Sequence, residues 1–151
     1  MRAMGKRSGD YSLSFALMWT FLQKLCSRKW FPITWTVFTV LLLCIPGSEI
    51  PGDGLFSIEG LDKVAHVILF GGIVLFWGFY FRQNPADDRF RRLLLWSVLL
   101  TILLGIGLEF LQRYAIPNRS FDVGDIWADT GGAAATAVFH VFWTGKKKKQ
   151  A

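Results

Sequence analysis

Apart from three basic blocks, most of the ionisable residues of this chain fall into three short clusters. The first is Asp62, Lys63 and His66, whose i, i+1, i+4 spacing sets Asp62 over His66 on one helical face. A carboxylate beside an imidazole fixes its tautomer, as a general base or a metal ligand requires. The second cluster, Glu109, Gln112 and Arg113, shows an i, i+3, i+4 pattern. The third follows Pro117 and reads Asn118-Arg119-Ser120-Phe121-Asp122-Val123-Gly124-Asp125, with Asp129 one turn deeper. Asp122, Asp125 and Asp129 stand at i, i+3 and i+7, a single acidic stripe. Helix capping accounts for Asp122 or Asp125. Asp129 lies too deep for that and needs a partner such as Arg119, Arg113 or His66.

Three kinds of chemistry are compatible with these clusters. Their five acids (Asp62, Glu109, Asp122, Asp125, Asp129) outnumber the three bases (Lys63, Arg113, Arg119), with one histidine between them. In a structural polar lock, protonated carboxyls would relieve the excess. In a binding site, Lys63, Arg113 and Arg119 would take the phosphate or carboxylate of a lipid-linked or other anionic ligand, with Glu109 and Gln112 orienting it and Asp122 and Asp125 among the ligand-binding residues. In a metal-assisted site, a divalent cation would sit among His66, Glu109, Asp122 and Asp125, with His66, Asp62 and Glu109 as catalytic candidates. One histidine and no cysteine in the set favour a harder, oxygen-preferring ion over zinc. A proton relay through Glu109 and Asp129 is a further alternative, although no paired repeat supports a transporter.

The elements that position these clusters are four apolar stretches: Phe31 to Cys44, Val64 to Phe81, Leu93 to Phe110 and Ile126 to Trp143. With 52% hydrophobic residues among 151 and a mean hydropathy of +0.36, the chain is too apolar for a small soluble fold, and 14 Phe and 7 Trp exclude disorder. The expectation is an all-α membrane protein, a four-helix transmembrane bundle with a short N-terminal amphipathic helix, because a backbone in lipid must satisfy its own hydrogen bonds. That amphipathic helix is placed at Ser12 to Leu25, with Phe15, Trp19 and Leu22 on one side. Pro32 near the start of the first stretch is tolerated in a first turn. Gly131-Gly132-Ala133-Ala134-Ala135 is the strongest small-residue packing face.

All 17 basic residues except Lys63, Arg113 and Arg119 fall before the first stretch, between Arg82 and Arg92, or at Lys146 to Lys149. With four spans these blocks share one side, so both termini are expected in the cytoplasm and the three clusters at the outer face. The same separation into blocks argues against nucleic acid as a partner, and the lysine tail reads as an anchor on anionic lipid. Most Trp residues fall near span ends, as in an aromatic belt. His140 has no acidic neighbour in sequence and is expected at the cytoplasmic interface. Cys26 and Cys44 stand at opposite ends of an apolar run, which argues against a disulfide.

Asp62-Lys63-Val64-Ala65-His66 opening one span, Glu109-Phe110-Leu111-Gln112 closing another, and Pro117 to Asp125 leading into a Gly/Ala-rich helix resemble, in order and spacing, the VanZ-like family of small bacterial membrane proteins. The resemblance covers roughly Leu61 to Phe139 and puts the motif positions at Asp62, Lys63, His66, Glu109, Gln112, Arg119, Asp122 and Asp125. It implies a multi-pass protein of the bacterial cytoplasmic (inner) membrane, with the bilayer and a lipid-linked or cell-wall-related ligand as partners and with a link to teicoplanin and other glycopeptide antibiotic resistance in the cell envelope. It leaves a homo-oligomer open and any enzymatic activity unassigned. Asp129 departs from the family's usual Asn and adds a negative charge. The expected organisation is an interfacial segment at 1–29, a four-helix domain at 30–144 and a basic tail at 145–151.

Overall fold

The computed structural model describes residues 17–18, 20, 24–26, 28–49, 60–83 and 87–148. Four helices carry the fold: α1 (Trp30–Leu43), α2 (Leu61–Phe81), α3 (Asp87–Ala115) and α4 (Val123–Lys148). A single 3-10 turn follows α1 at Gly47–Glu49, and no strand occurs among the described residues. Consecutive helices run in opposite directions, so the end of α1, the start of α2, the end of α3 and the start of α4 meet at one end of the bundle. Phe15, Trp19 and Leu22 of the expected N-terminal amphipathic helix lie outside the described residues, although 17–18, 20 and 24–26 are helical.

Helix α2 is the central element, packed against α1, α3 and most extensively α4. That is why six consecutive residues, Leu69 to Val74, are all buried although a helix covered on one side would bury only every third or fourth. Two adjacent glycines serve two different neighbours. A Cβ at Gly71 would come within 3.2 Å of the Gly132 carbonyl oxygen on α4, while one at Gly72 would run into the Trp35 indole of α1. Trp35 then donates its Nε1 hydrogen to the Leu69 carbonyl at 3.0 Å. Small residues that let backbones approach are the usual means of joining helices where no water drives association. Of the expected Gly131–Gly132 face, Gly132 makes the contact, against Val67 and Gly71, and Gly131 faces open space.

The outer surface of the bundle is apolar: Leu95, Leu100, Leu103, Leu41 and Phe142 are all more than half exposed. Two helices, Leu61–Phe81 and Asp88–Ala115, are long and apolar enough to cross a membrane, where four had been expected. The other two miss the criterion for physical reasons. With 14 residues, α1 extends only about 21 Å against a hydrocarbon core of about 30 Å. Helix α4 has 26 residues but spends them partly on Asp125, Asp129 and its lysine end.

His140 corrects a second expectation. It is completely buried rather than interfacial, its Nε2–H donating to the Leu75 carbonyl at 3.0 Å. It occupies the room left by Gly78, with the rings of Phe79, Phe90 and Phe139 around it.

Candidate functional site

The three clusters converge at the end of the bundle where α2 and α4 begin and α3 finishes. His66, on the first turns of α2, points at α4: its Nδ1 lies 2.9 Å from Asp129 Oδ1 and its Nε2 lies 3.8 Å from Asp125 Oδ2. Asp62 is not its partner. Asp62 is exposed and reaches only the neighbouring Lys63 ammonium, at 3.3 Å. The i, i+4 relation within α2 loses to the α2–α4 crossing, because the glycine contact brings the acidic stripe of α4 directly against α2. An ionised carboxylate can only accept, so the His66 ring proton sits on Nδ1 toward Asp129 and Nε2 is left facing Asp125. The ring also stacks on Phe70 one turn on, with an interplanar angle of 6°.

Glu109 supplies the α3 side. Its Oε2 accepts the backbone N–H of Asp122 at 2.8 Å, which ties the end of α3 to the start of α4, and its Oε1 is buried with no hydrogen-bond partner. Asp129 Oδ2 is likewise buried and unpartnered, in the space that Gly105 of α3 leaves open. Glu109 and Asp129 are each only 1% exposed, so neither oxygen can turn to water.

Asp122 is the N-cap of α4, its Oδ1 accepting the Gly124 N–H at 2.6 Å. Its Oδ2 takes the Lys63 ammonium at 2.7 Å, and Asp125 Oδ1 takes the same ammonium at 3.1 Å. Gly124 clears the path of that lysine, since a Cβ there would meet Lys63 Cε at 2.8 Å. The rim is thus a lysine ringed by Asp62, Asp122 and Asp125. Lys63 above all, and then the Gly124 N–H, hold the Asp122 carboxyl below the usual aspartate range. A depressed carboxyl stabilises the fold fully above its unfolded value of about 3.9, and the contribution is lost as pH falls through the lower folded value. Asp122→Asn is therefore expected to lower the melting temperature at neutral pH and to flatten its decline below about pH 4, read from melting curves of both proteins across that range.

Two expected ligand-binding residues have structural partners. Gln112 is buried and donates its Nε2 hydrogen to the Leu43 carbonyl at 2.9 Å, satisfying an end group that α1 itself leaves open. Arg119 donates from Nε to the Ile45 carbonyl at 3.3 Å. Close by, the Gly47 N–H reaches the Pro117 carbonyl at 3.1 Å, and Gly47 has no room for a Cβ against Asn118. Asn118 adopts a left-handed φ of 56°, a conformation Asn tolerates. Together these contacts fasten the end of α1 to the α3–α4 turn. Arg113 is exposed and lies over the Tyr114 ring.

The arrangement therefore differs from the expected balance of acids and bases. With Arg113 over Tyr114 and Arg119 on α1, the nest keeps Asp62, Glu109, Asp122, Asp125 and Asp129 against Lys63 and His66. Its chemistry is that of a site short of positive charge. Two groups of side chains offer atoms within 4.8 Å of one another, as a metal ion would need: His66 with Glu109 and Asp125, and Asp62 with Asp122 and Asp125. Cavities of about 280 and 430 Å³ open elsewhere, between apolar faces of α1, α2 and α3 and of α3 and α4.

No curated protein and no solved structure matches the chain. The VanZ/LLP1 family description matches residues 6–144, a stretch that takes in α1 to α4 up to the last turns, the whole nest and the fastening of α1. The chain belongs to the VanZ/LLP1 family.

Proposed function

We propose that this chain is a multi-pass protein of a bacterial cytoplasmic membrane, with both termini cytoplasmic, that binds an anionic, lipid-linked envelope ligand at the outer mouth of the nest. In this reading all four helices cross, α1 and α4 using their interfacial turns to complete the span. The basic blocks then face the cytoplasm and the nest faces outward, where a role in glycopeptide resistance would be exercised. The observation that carries the reading is the convergence of carboxylates from the start of α2 and the start of α4 on Lys63, an ammonium 42% exposed at the mouth and bonded to the deeper Asp125. The anionic headgroup takes over Lys63 as its charge partner, with Arg119, on the α3–α4 turn at the same end of the bundle, as a second.

The test is retention of a polyprenyl phosphate by the full chain in a mild detergent, followed by native mass spectrometry. The lipid should be retained in preference to the uncharged polyprenol. Lys63→Gln with Arg119→Gln should weaken retention at least tenfold, each lost charge-assisted contact costing about 1.5–3 kcal/mol. Equal retention of phosphate and alcohol, or an unchanged double variant, would remove the reading. A second reading, metal-assisted hydrolysis or transfer, is favoured by the orientation of His66, whose Nε2 lies 3.8 Å from Asp125 Oδ2 with Glu109 close by.

A further inference from the structure

The side chains at the base of the nest have an unmet charge requirement. Glu109 and Asp129 are each 1% exposed and the Asp125 side chain 13%, and His66 is, among the described residues, the one buried group beside them able to carry positive charge. Lys63 serves Asp125 through Oδ1 but stays at the rim, 42% exposed. Glu109 Oε1 has no partner at all. Uncompensated carboxylates in so dry a place are costly, and in a membrane protein they mark sites where a cation or proton is handled.

We infer that His66, Glu109 and Asp125 bind one divalent cation, with Asp129 as the positioning residue behind His66. This rests on the reading above and supplies its missing positive charge. Four features of the geometry converge on it. One ligand atom from each of the three residues lies within 4.8 Å of the others. Donors about 2.1 Å from a shared ion stand roughly 3.4 Å apart in a tetrahedron, so the three ligand atoms, which lie within 4.8 Å of one another, would draw in around it. The His66 Nδ1–H to Asp129 contact at 2.9 Å leaves Nε2 free and fixes the ring plane, the arrangement metal-bound histidines use. Glu109 is held by its other oxygen to the Asp122 N–H, so the unpartnered Oε1 is already immobilised. The second acidic group, Asp62, Asp122 and Asp125, is excluded as the metal site because the Lys63 ammonium already occupies it.

The donor set also selects the ion. One imidazole nitrogen and two carboxylates suit Mn²⁺ or Zn²⁺, whereas Mg²⁺ is poorly served by nitrogen. Three protein ligands leave at least one coordination position for an anionic oxygen or water, and the side facing Lys63 is the one a headgroup would reach. An acidic nest can thereby recognise a phosphate.

The experiment is a titration of the purified full chain in mild detergent with Mn²⁺, Zn²⁺ and Mg²⁺, read by metal content, melting temperature and pulsed electron paramagnetic resonance of the Mn²⁺ form. The expected result is one Mn²⁺ or Zn²⁺ per chain, a raised melting temperature, an imidazole nitrogen coupling to Mn²⁺, and no comparable effect of Mg²⁺. Glu109→Gln and Asp125→Asn should weaken Mn²⁺ binding at least tenfold, and Asp62→Asn should leave it unchanged. Asp129→Asn should weaken it about 10- to 100-fold while keeping the nitrogen coupling. Should a variant fail to fold, the stoichiometry and the nitrogen coupling of the unaltered chain decide alone. Absence of a stoichiometric ion, absence of that coupling, or unchanged affinity in both folded ligand variants overturns the inference. Polyprenyl phosphate retention with and without a chelator separates the two readings. Retention that persists in a chain that binds no stoichiometric ion removes the ion and keeps the lipid site, whereas bound Mn²⁺ without lipid retention does the reverse.

Discussion

Gly132→Ala is expected to lower the stability of the protein in mild detergent by about 2–3 kcal/mol, near the upper end of what overpacking costs, while Gly131→Ala leaves it unchanged or raises it. The two positions are adjacent and chemically identical, and only their surroundings differ. A Cβ at Gly132 would strike the Val67 carbonyl, and Val67 Cα and the Gly71 amide nitrogen lie only 3.0 and 3.1 Å away. All three are backbone atoms of α2, so no rotamer change relieves the clash and the helices must separate. At Gly131 nothing lies within 4 Å, and alanine gains helix propensity worth up to about 1 kcal/mol. Separation of α2 from α4 also pulls His66 away from Asp125 and Asp129, so the Gly132 variant should lose metal and ligand binding along with stability. Melting curves of both variants beside the parent check this, and equal melting of the two would mean that the close crossing does not hold the bundle together.

This contrast also shows what the sequence could and could not announce. The four helices were legible because each is a long apolar run, and the meeting of the polar clusters at one end follows once short links force neighbouring helices to alternate in direction. The all-helical fold and the family follow from the same pattern. Partners across helices were not legible. Whether His66 turns to Asp62 or to Asp129 depends on the rotation of α2, and that rotation is set by Gly71 and Gly132, whose roles become visible only when the two helices touch. Gln112 reads as a ligand-orienting amide next to Glu109, yet three positions on a helix leave it about 60° round from Glu109, enough for its amide to meet the end of α1 instead. The signals that would have helped were glycines opposite bulky polar groups: Gly105 against Asp129, Gly124 against Lys63 and Gly78 against His140. In each case the absent Cβ makes the seat for a side chain on another helix, and a sequence shows the glycine without its occupant.

The second large effect concerns the buried pair at the centre of the nest. His66→Leu should destabilise the protein by about 3 kcal/mol, the low end of the cost of stripping one partner from a buried charged pair. Asp129 then keeps a carboxylate that is 1% exposed, with one oxygen already unpartnered and the other newly so. The double variant His66→Leu with Asp129→Leu removes both polar groups and fills the space with hydrocarbon, so it should be more stable than His66→Leu alone, even though it carries one more substitution. Such non-additivity is the mark of direct contact, with coupling energies of about 0.5–3 kcal/mol. Asp62 provides the control: it is exposed and touches Lys63 rather than His66, so adding Asp62→Leu to His66→Leu should restore nothing. Unfolding in mixed micelles gives all the required free energies. If the His66 and Asp129 effects simply add, or if Asp62 proves to be the residue that couples, the α2–α4 pairing is wrong. The expected outcome has a consequence beyond stability. A chain that regains stability when both members of this pair become leucine, but only by giving up the nitrogen that faces Asp125, holds its histidine for what the nest binds as well as for how the bundle stands.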